Sequence, residues 1–215
     1  MASSKVKAHQ IYRNKDNKIV PGVTTILGVL NKPALVKWAN NLGLQGIDAT
    51  KYRDEKADIG TLAHAMIQAH CLNKMLDVSE YSKENIDKAE NSLISFYSWE
   101  KSHRIVPILV EESLVSEKYQ YGGQIDLYCE LDGEKWLVDF KTSKAIYSEM
   151  LHQLAAYNNL LTENGYDVDG ARILRIGRDE SEGFEERTVR DINKHFKIFK
   201  YCLKLYNLKK ELKDY

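Results

Sequence analysis

The sequence is poor in the features that mark several common classes of protein. Only three cysteines occur in 215 residues, and Cys71, Cys129 and Cys202 lie far apart. Without a Cys-x-x-Cys pair, the pattern argues against a structural zinc site, an iron–sulfur cluster and a disulfide framework. We therefore predict a reducing, cytoplasmic environment.

The chain also has no long apolar run and no excess of either charge. No apolar stretch is long enough to span a bilayer and no signal-peptide pattern opens the chain, so we expect no membrane partner. Basic and acidic residues number 31 each, which counts against a non-specific nucleic-acid binder but does not exclude a local basic patch. The apolar share of 43% is typical of a globular protein, and the length suits one domain.

Hydrophobic periodicity predicts a single domain, residues 1–215, in three parts. Residues 1–103 are predicted mainly helical, residues 104–190 form an α/β core, and residues 191–215 form a closing helix. The predicted elements are a hairpin over 8–20, helices after Pro21 and Pro33, helices over 52–72 and 82–103, a strand over 105–115, a hairpin over 122–142, a helix over 148–164, and strands over 171–176 and 183–189.

The hairpin over 122–142 carries the most informative residues of the chain. Its turn is predicted at Asp132-Gly133, because both residues tolerate the positive φ that a two-residue turn requires. Strand side chains alternate between faces. On the first strand the alternation places Gln124, Asp126 and Tyr128 on one face, opposite Ile125, Leu127, Cys129 and Leu131. On the second strand it places Leu137, Asp139 and Lys141 on one face, opposite Trp136, Val138 and Phe140.

Asp126, Asp139 and Lys141 are the first candidates for chemistry. Two carboxylates at adjoining strand ends suit a hard divalent ion such as Mg²⁺, which can polarise a phosphodiester and activate water. A lysine beside them can orient that water or stabilise charge on the phosphate. The alternative is a surface cross-strand ion pair, worth at most ~1 kcal/mol.

Three further residues fit such a centre. Gln153 and Tyr157 are four residues apart on a predicted helix and share a face, which suits contact with phosphate or base. His64 lies in an earlier predicted helix, and its small neighbours Gly60 and Ala63 would let another segment approach closely. An imidazole is a good metal ligand. Each residue taken alone also fits an ordinary core position.

Taken in order, these motifs resemble the PD-(D/E)XK nuclease superfamily, in particular its RecB-like and phage-type exonuclease branch. The resemblance is carried by Gly-Gly-Gln-Ile-Asp126, Asp139-Phe-Lys141, Gln153-Leu-Ala-Ala-Tyr157 and Gly60-Thr-Leu-Ala-His64. Pro21-Gly-Val-Thr-Thr-Ile-Leu27 also resembles an N-terminal motif of that branch, so the similarity spans residues 20–160.

The resemblance implies a restriction-endonuclease-like core, with a central mixed β-sheet flanked by helices and a helical N-terminal portion. It implies a Mg²⁺- or Mn²⁺-dependent DNA exonuclease of DNA repair or recombination, in a bacterial or phage-infected cell. The implied metal ligands are His64, Asp126, Asp139, the carbonyl of Phe140 and an acid on the preceding strand. Glu111 fits that acid best, with Glu112 as the alternative. Lys141 would be the catalytic lysine, Gln153 and Tyr157 would place DNA, and no iron–sulfur cluster is expected.

Two other functions remain open at this point. One is a structure-specific or nicking endonuclease using the same site, and the other is an inactive relative that only binds DNA. Lysines on the closing helix recur at three-and-four spacing beside its apolar face and are candidates for contact with the DNA backbone, although a solvated helix face is the simpler interpretation. They are Lys197, Lys200 and Lys204.

Overall fold

The computed structural model describes residues 10–212, which form seven strands and six helices. The predicted hairpin over 8–20 and the closing helix each extend partly outside the described residues. The elements in order are β1 (Tyr12–Arg13), β2 (Ile19–Val20), α1 (Val23–Leu27), α2 (Pro33–Leu44), α3 (Ala49–Cys71), α4 (Lys83–Glu100), β3 (Ile105–Ser116), β4 (Tyr121–Leu131), β5 (Glu134–Lys141), α5 (Ser148–Glu163), β6 (Gly170–Ile176), β7 (Phe184–Val189) and α6 (Asn193–Glu211).

A five-stranded mixed sheet with the order β3-β4-β5-β6-β7 lies at the centre of the protein. Strands β3, β4 and β5 are antiparallel neighbours, β6 runs parallel to β5, and β7 is antiparallel to β6. Helix α5 connects the two parallel strands, as such a crossover requires. The predicted strand–strand–strand–helix–strand order is therefore confirmed.

Helices cover both faces of the sheet, so the strands are buried on both sides. On one face α1, α5 and α6 enclose a core that includes Ile26, Leu154 and Phe199. On the other, α3 and α4 contribute Ile67 and Phe96 to a second core. The architecture is thus α/β, with a mixed sheet flanked by helices. Among residues 10–212, no helix is long and apolar enough to cross a membrane.

The β4–β5 hairpin has the predicted turn but differs from the predicted alternation at one point. Asp132 and Gly133 have φ values of 54° and 90°, as the two-residue turn requires. Ile125, however, packs in the core beneath α5, whereas Leu127 packs in the core beneath α3 and α4. The prediction that these two residues share a face is wrong.

The reason is that β4 and β5 separate at Asp126. Their paired residues end at Leu127 and Val138, and the backbone N–H of Phe140 donates to the Asp126 carboxylate at 2.8 Å. A side chain therefore replaces the next step of the ladder. The regular alternation of side chains does not continue through Asp126. The gap between the two strands at this point can hold polar groups.

Candidate metal and nucleic-acid site

Two adjacent glycines on β4 make room for two tyrosines. A Cβ atom on Gly122 would lie 2.4 Å from Cβ and Cγ of Tyr12, and one on Gly123 would lie 2.6 Å from Cε1 of Tyr157. Both separations are far below van der Waals contact, so a side chain at either position would displace the ring. The Gly-Gly pair is thus needed to seat Tyr12 and Tyr157, which line the same recess.

At that recess, side chains from α3, β3 and β4 form an acidic group with one imidazole. Nδ1 of His64 lies 3.7 Å from Oε1 of Glu111 and 3.6 Å from Oδ1 of Asp126. One ligand atom from each of the three residues lies within 4.8 Å of the others. Such a set of oxygen and nitrogen atoms can hold a divalent cation or, without one, a proton.

Glu111 reaches this group through an unusual backbone conformation. Its φ is 52°, a left-handed value that is uncommon for any residue other than glycine. The residue lies between the ladder pairs Val110–Leu127 and Glu112–Ile125, and its carbonyl accepts a hydrogen bond from Nε2 of Gln124 at 3.1 Å. Glu111 faces the recess, whereas Glu112 is exposed. Strained backbone of this kind concentrates at functional sites.

The charges of the three groups are strongly linked. Burial alone would lower the pKa of His64, but the carboxylates of Asp126 and Glu111 outweigh burial and raise that pKa to about 10. Burial also opposes ionisation of Asp126, yet the neighbouring imidazolium keeps the pKa of Asp126 below its ordinary value. For Glu111 burial prevails and raises the pKa. Without a metal, a proton on His64 therefore balances part of the negative charge.

Asp139 and Lys141 form a second, more deeply buried pair at the end of β5. Asp139 is 1% exposed, and Nζ of Lys141 lies 2.6 Å from its Oδ2. Oδ2 is thus held by the ammonium, whereas Oδ1 has no hydrogen-bond partner within the described part of the chain. Burial raises the pKa of Asp139 to about 6, with the Lys141 charge opposing and the Asp126 charge adding to this change. For Lys141, burial favours the neutral form, but Asp139 and Asp126 prevail and raise its pKa.

Gln153 and Tyr157 meet on α5 as predicted. Nε2 of Gln153 donates to the Tyr157 hydroxyl oxygen at 2.8 Å, so the amide fixes the phenol. Burial, together with the nearby charges of Asp139 and Asp126, raises the pKa of Tyr157 well above its ordinary value. The phenol therefore keeps its proton at neutral pH and can donate a hydrogen bond.

Helix α3 lies close enough to β5 for His64 to reach the strand ends. A Cβ on Gly60 would be 2.7 Å from Oγ1 of Thr142, just after β5, so glycine at this turn allows the approach. The ring of His64 also meets Phe140 edge-on, with 5.9 Å between ring centroids. The prediction that Gly60 lets another segment approach the histidine helix is confirmed.

The recess has a volume of about 500 Å³ and includes residues that sequence reasoning missed. Glu111, Asp126, His64 and Tyr157 are joined there by residues of the N-terminal hairpin, of α1 and of the segment after β5, and by further residues of α3 and β4. Glycine at 122 was the available signal for Tyr12, since a strand glycine often marks a close approach. The unpredicted lining residues include Tyr12, Thr24, Lys56, Thr61, Gln68, Gln124 and Thr142.

The predicted site residues are thus brought together to different degrees. His64, Glu111 and Asp126 form the compact group, while Asp139 is paired with Lys141 and does not belong to that group. The three α6 lysines are exposed and do not line the recess. Their contact with DNA stays a prediction, as do the metal-ligand roles of Asp139 and of the Phe140 carbonyl.

Comparison with known proteins adds no further assignment. No protein-family model matches the chain, and no curated protein matches its sequence.

Proposed function

We propose that this protein is a Mg²⁺- or Mn²⁺-dependent DNA exonuclease with a restriction-endonuclease-like core. The observation that carries the proposal is the meeting, at one recess, of the His64–Glu111–Asp126 group with Tyr157, beside the buried Asp139–Lys141 pair. Strands β3, β4 and β5, helix α3 and helix α5 each supply part of it. A surface ion pair, the simplest alternative for Asp139 and Lys141, does not fit a carboxylate that is 1% exposed.

The residues present fit a hard divalent ion. Mg²⁺ and Mn²⁺ favour carboxylate oxygens, and Glu111 and Asp126 offer them beside an imidazole. Oδ1 of Asp139 adds a buried oxygen without a hydrogen-bond partner in residues 10–212, and a metal ion would supply a partner for it. His64, Glu111, Asp126 and Asp139 would hold the ion. When bound, it would polarise the phosphodiester and lower the pKa of a coordinated water.

Lys141 would stabilise charge rather than remove a proton. Its raised pKa keeps the ammonium charged at neutral pH, since Asp139 and Asp126 outweigh the effect of burial. A charged group fixed beside the acidic centre can balance negative charge that develops on a phosphate during hydrolysis. A charged ammonium suits both roles predicted for the lysine, which are to stabilise charge on the phosphate and to orient the water.

Tyr157 and Gln153 would position the substrate. The Tyr157 hydroxyl accepts a hydrogen bond from Gln153, which leaves its own proton free to be donated to a phosphate oxygen. Its raised pKa keeps that proton in place. The pair thus presents one oriented donor at the edge of the acidic group.

The experiment is a cleavage assay on end-labelled linear DNA and covalently closed circular DNA, with Mg²⁺, with Mn²⁺ and with a chelator. We expect metal-dependent loss of linear DNA and intact circles. Cut or nicked circles would show that the site acts as an endonuclease rather than as an exonuclease. Intact DNA of every form with either metal would refute the nuclease proposal and leave a DNA-binding module.

A further inference from the structure

The acidic group lies inside the recess rather than on an open surface. The side chains of Asp126, Glu111 and His64 are 12%, 15% and 25% exposed. The hairpin residue Tyr12, Thr24 of α1 and Lys56 of α3 line the recess along with them. A volume of about 500 Å³ matches a pocket for one small-molecule-sized group, such as a single nucleotide.

A duplex is much larger than this space. In B-form DNA the two grooves alone are about 12 and 6 Å wide, so both strands cannot enter a recess of this size together. A phosphodiester must reach the carboxylates to be hydrolysed there. A paired strand would therefore have to separate from its complement before its backbone could enter.

Tyr12 is held in the recess by the fold of the N-terminal hairpin. Gly22 and Gly122 form a parallel bridge that fastens this hairpin to β4. The amide of Asn14 adds a 2.7 Å hydrogen bond to Gln120. Within residues 10–212 the Tyr12 hydroxyl makes no hydrogen bond. Burial first, and then the charges of Glu111 and Asp126, raise the pKa of Tyr12, so the hydroxyl remains a donor.

Lys56 supplies a positive charge that forms no close ion pair within the described residues, although it helps to lower the pKa of Glu84 from a distance. Its ammonium lies 5.2 Å from the centre of the Tyr52 ring, a weak contact that leaves the charge in place. No carboxylate of residues 10–212 lies within 4.0 Å of it, whereas His64 and Lys141 each lie beside an acid. An ammonium that lines a recess and has no carboxylate in direct contact suits an anionic ligand.

We infer that the recess admits one DNA strand rather than a duplex, with Lys56 and the Tyr12 hydroxyl contacting phosphates of that strand. The inference rests on the proposed function and specifies its substrate. Neither Tyr12 nor Lys56 belongs to the acidic group, although Lys56 shares helix α3 with His64. Both would therefore position the strand without taking part in the hydrolytic step.

The first test compares three substrates of one sequence with Mn²⁺: a single strand, a blunt duplex, and a duplex with a single-stranded tail. We expect the single strand to be degraded and the tail to be removed up to the junction. The blunt duplex should be slower by roughly tenfold for each base pair that must open. A blunt duplex cleaved as fast as the single strand, or faster, would overturn the inference while leaving the nuclease proposal intact.

The second test uses Tyr12→Phe and Lys56→Met on the single strand. Each should raise KM by about fivefold with little change in kcat, because each loses one phosphate contact. Lys56→Met should also reduce the salt dependence of binding by about one phosphate contact. Lys51→Met on the same helix and Tyr201→Phe on α6 are the matched controls, since neither residue lines the recess.

The two kinds of failure are distinguishable. A KM unchanged in both variants, or a fall in kcat alone, would overturn the role of Tyr12 and Lys56. A wild-type protein that cleaves none of the three substrates with either metal would refute the proposed function, and the substrate inference would fall with it.

Discussion

Replacing Asp139 by asparagine should make the protein more stable at neutral pH, even as it removes activity. The carboxylate is buried; its Oδ2 is paired with Lys141, but its Oδ1 has no hydrogen-bond partner among the described residues. Burial raises its pKa from 3.8 to about 6, despite the opposing charge of Lys141. Keeping this group ionised in the folded protein therefore costs about 3 kcal/mol.

The sign of the pH dependence follows from the proton count. Between pH 4 and pH 6 the folded protein retains a proton on Asp139 that the unfolded chain has lost, so stability falls as pH rises through this window. Asparagine has nearly the same shape and no charge, and it avoids that loss. Lys141 loses its nearest partner but still faces Asp126 and Glu111. We expect a net gain of about 1–3 kcal/mol at pH 8 and little difference at pH 4.

Urea unfolding with a chelator present, from pH 4 to pH 8, measures this difference directly. Asp16→Asn is the control, because Asp16 is exposed and a surface change of this kind should stay within about 0.5 kcal/mol. If Asp139→Asn were instead destabilised by ~3 kcal/mol at pH 8, the attraction to Lys141 would exceed the cost of burial, and the reasoning would be refuted.

Other perturbations test separate parts of the account. Lys141→Ala should abolish cleavage while the fold persists, as circular dichroism and the DNA assay would show; near wild-type cleavage would remove the lysine from the mechanism. Gly123→Ala should lower the free energy of unfolding by about 1–3 kcal/mol, because the new methyl group would displace Tyr157. Gly43→Ala has open space around it and should raise the free energy of unfolding by up to ~1 kcal/mol. Thermal unfolding measures both, and equal effects would contradict the packing argument. Metal binding at pH 8 should displace the proton from His64, whose pKa is about 10, so calorimetry in buffers of different ionisation enthalpy should detect proton release that His64→Ala lacks. If the His64→Ala variant still released a proton on metal binding, that proton would come from another group.

The fold was largely predictable because its signals are local. The positive φ values at Asp132 and Gly133 follow from residue type, and helix α5 ends just before Gly165, whose φ is 88°. Hydrophobic periodicity alone indicated both α3 and the strand–strand–strand–helix–strand order. The observed start of α3 differs from the predicted start at residue 52. The helix begins at Ala49 because the side chain of Asp48 accepts hydrogen bonds from the N–H groups of Thr50 and Lys51.

The site was only partly predictable because its geometry depends on contacts distant in sequence. Nothing local to Glu111 indicates a φ of 52°; the residue lies opposite Asp126, where β4 separates from β5. The face reversal between Ile125 and Leu127 likewise requires a side chain to take the place of a ladder bond. Tyr12 lies more than one hundred residues from Gly122, and only the folded chain brings the ring against that glycine.

The most direct test of the central claim is release of labelled nucleotides from linear single-stranded DNA, measured for the wild type and for Asp126→Asn across a Mn²⁺ titration. Asparagine can still accept the Phe140 N–H through its carbonyl oxygen, so the local backbone should keep its shape. We expect Mn²⁺-dependent release by the wild type and a rate at background for the variant. Equal release by both proteins, or release that a chelator does not stop, would contradict it.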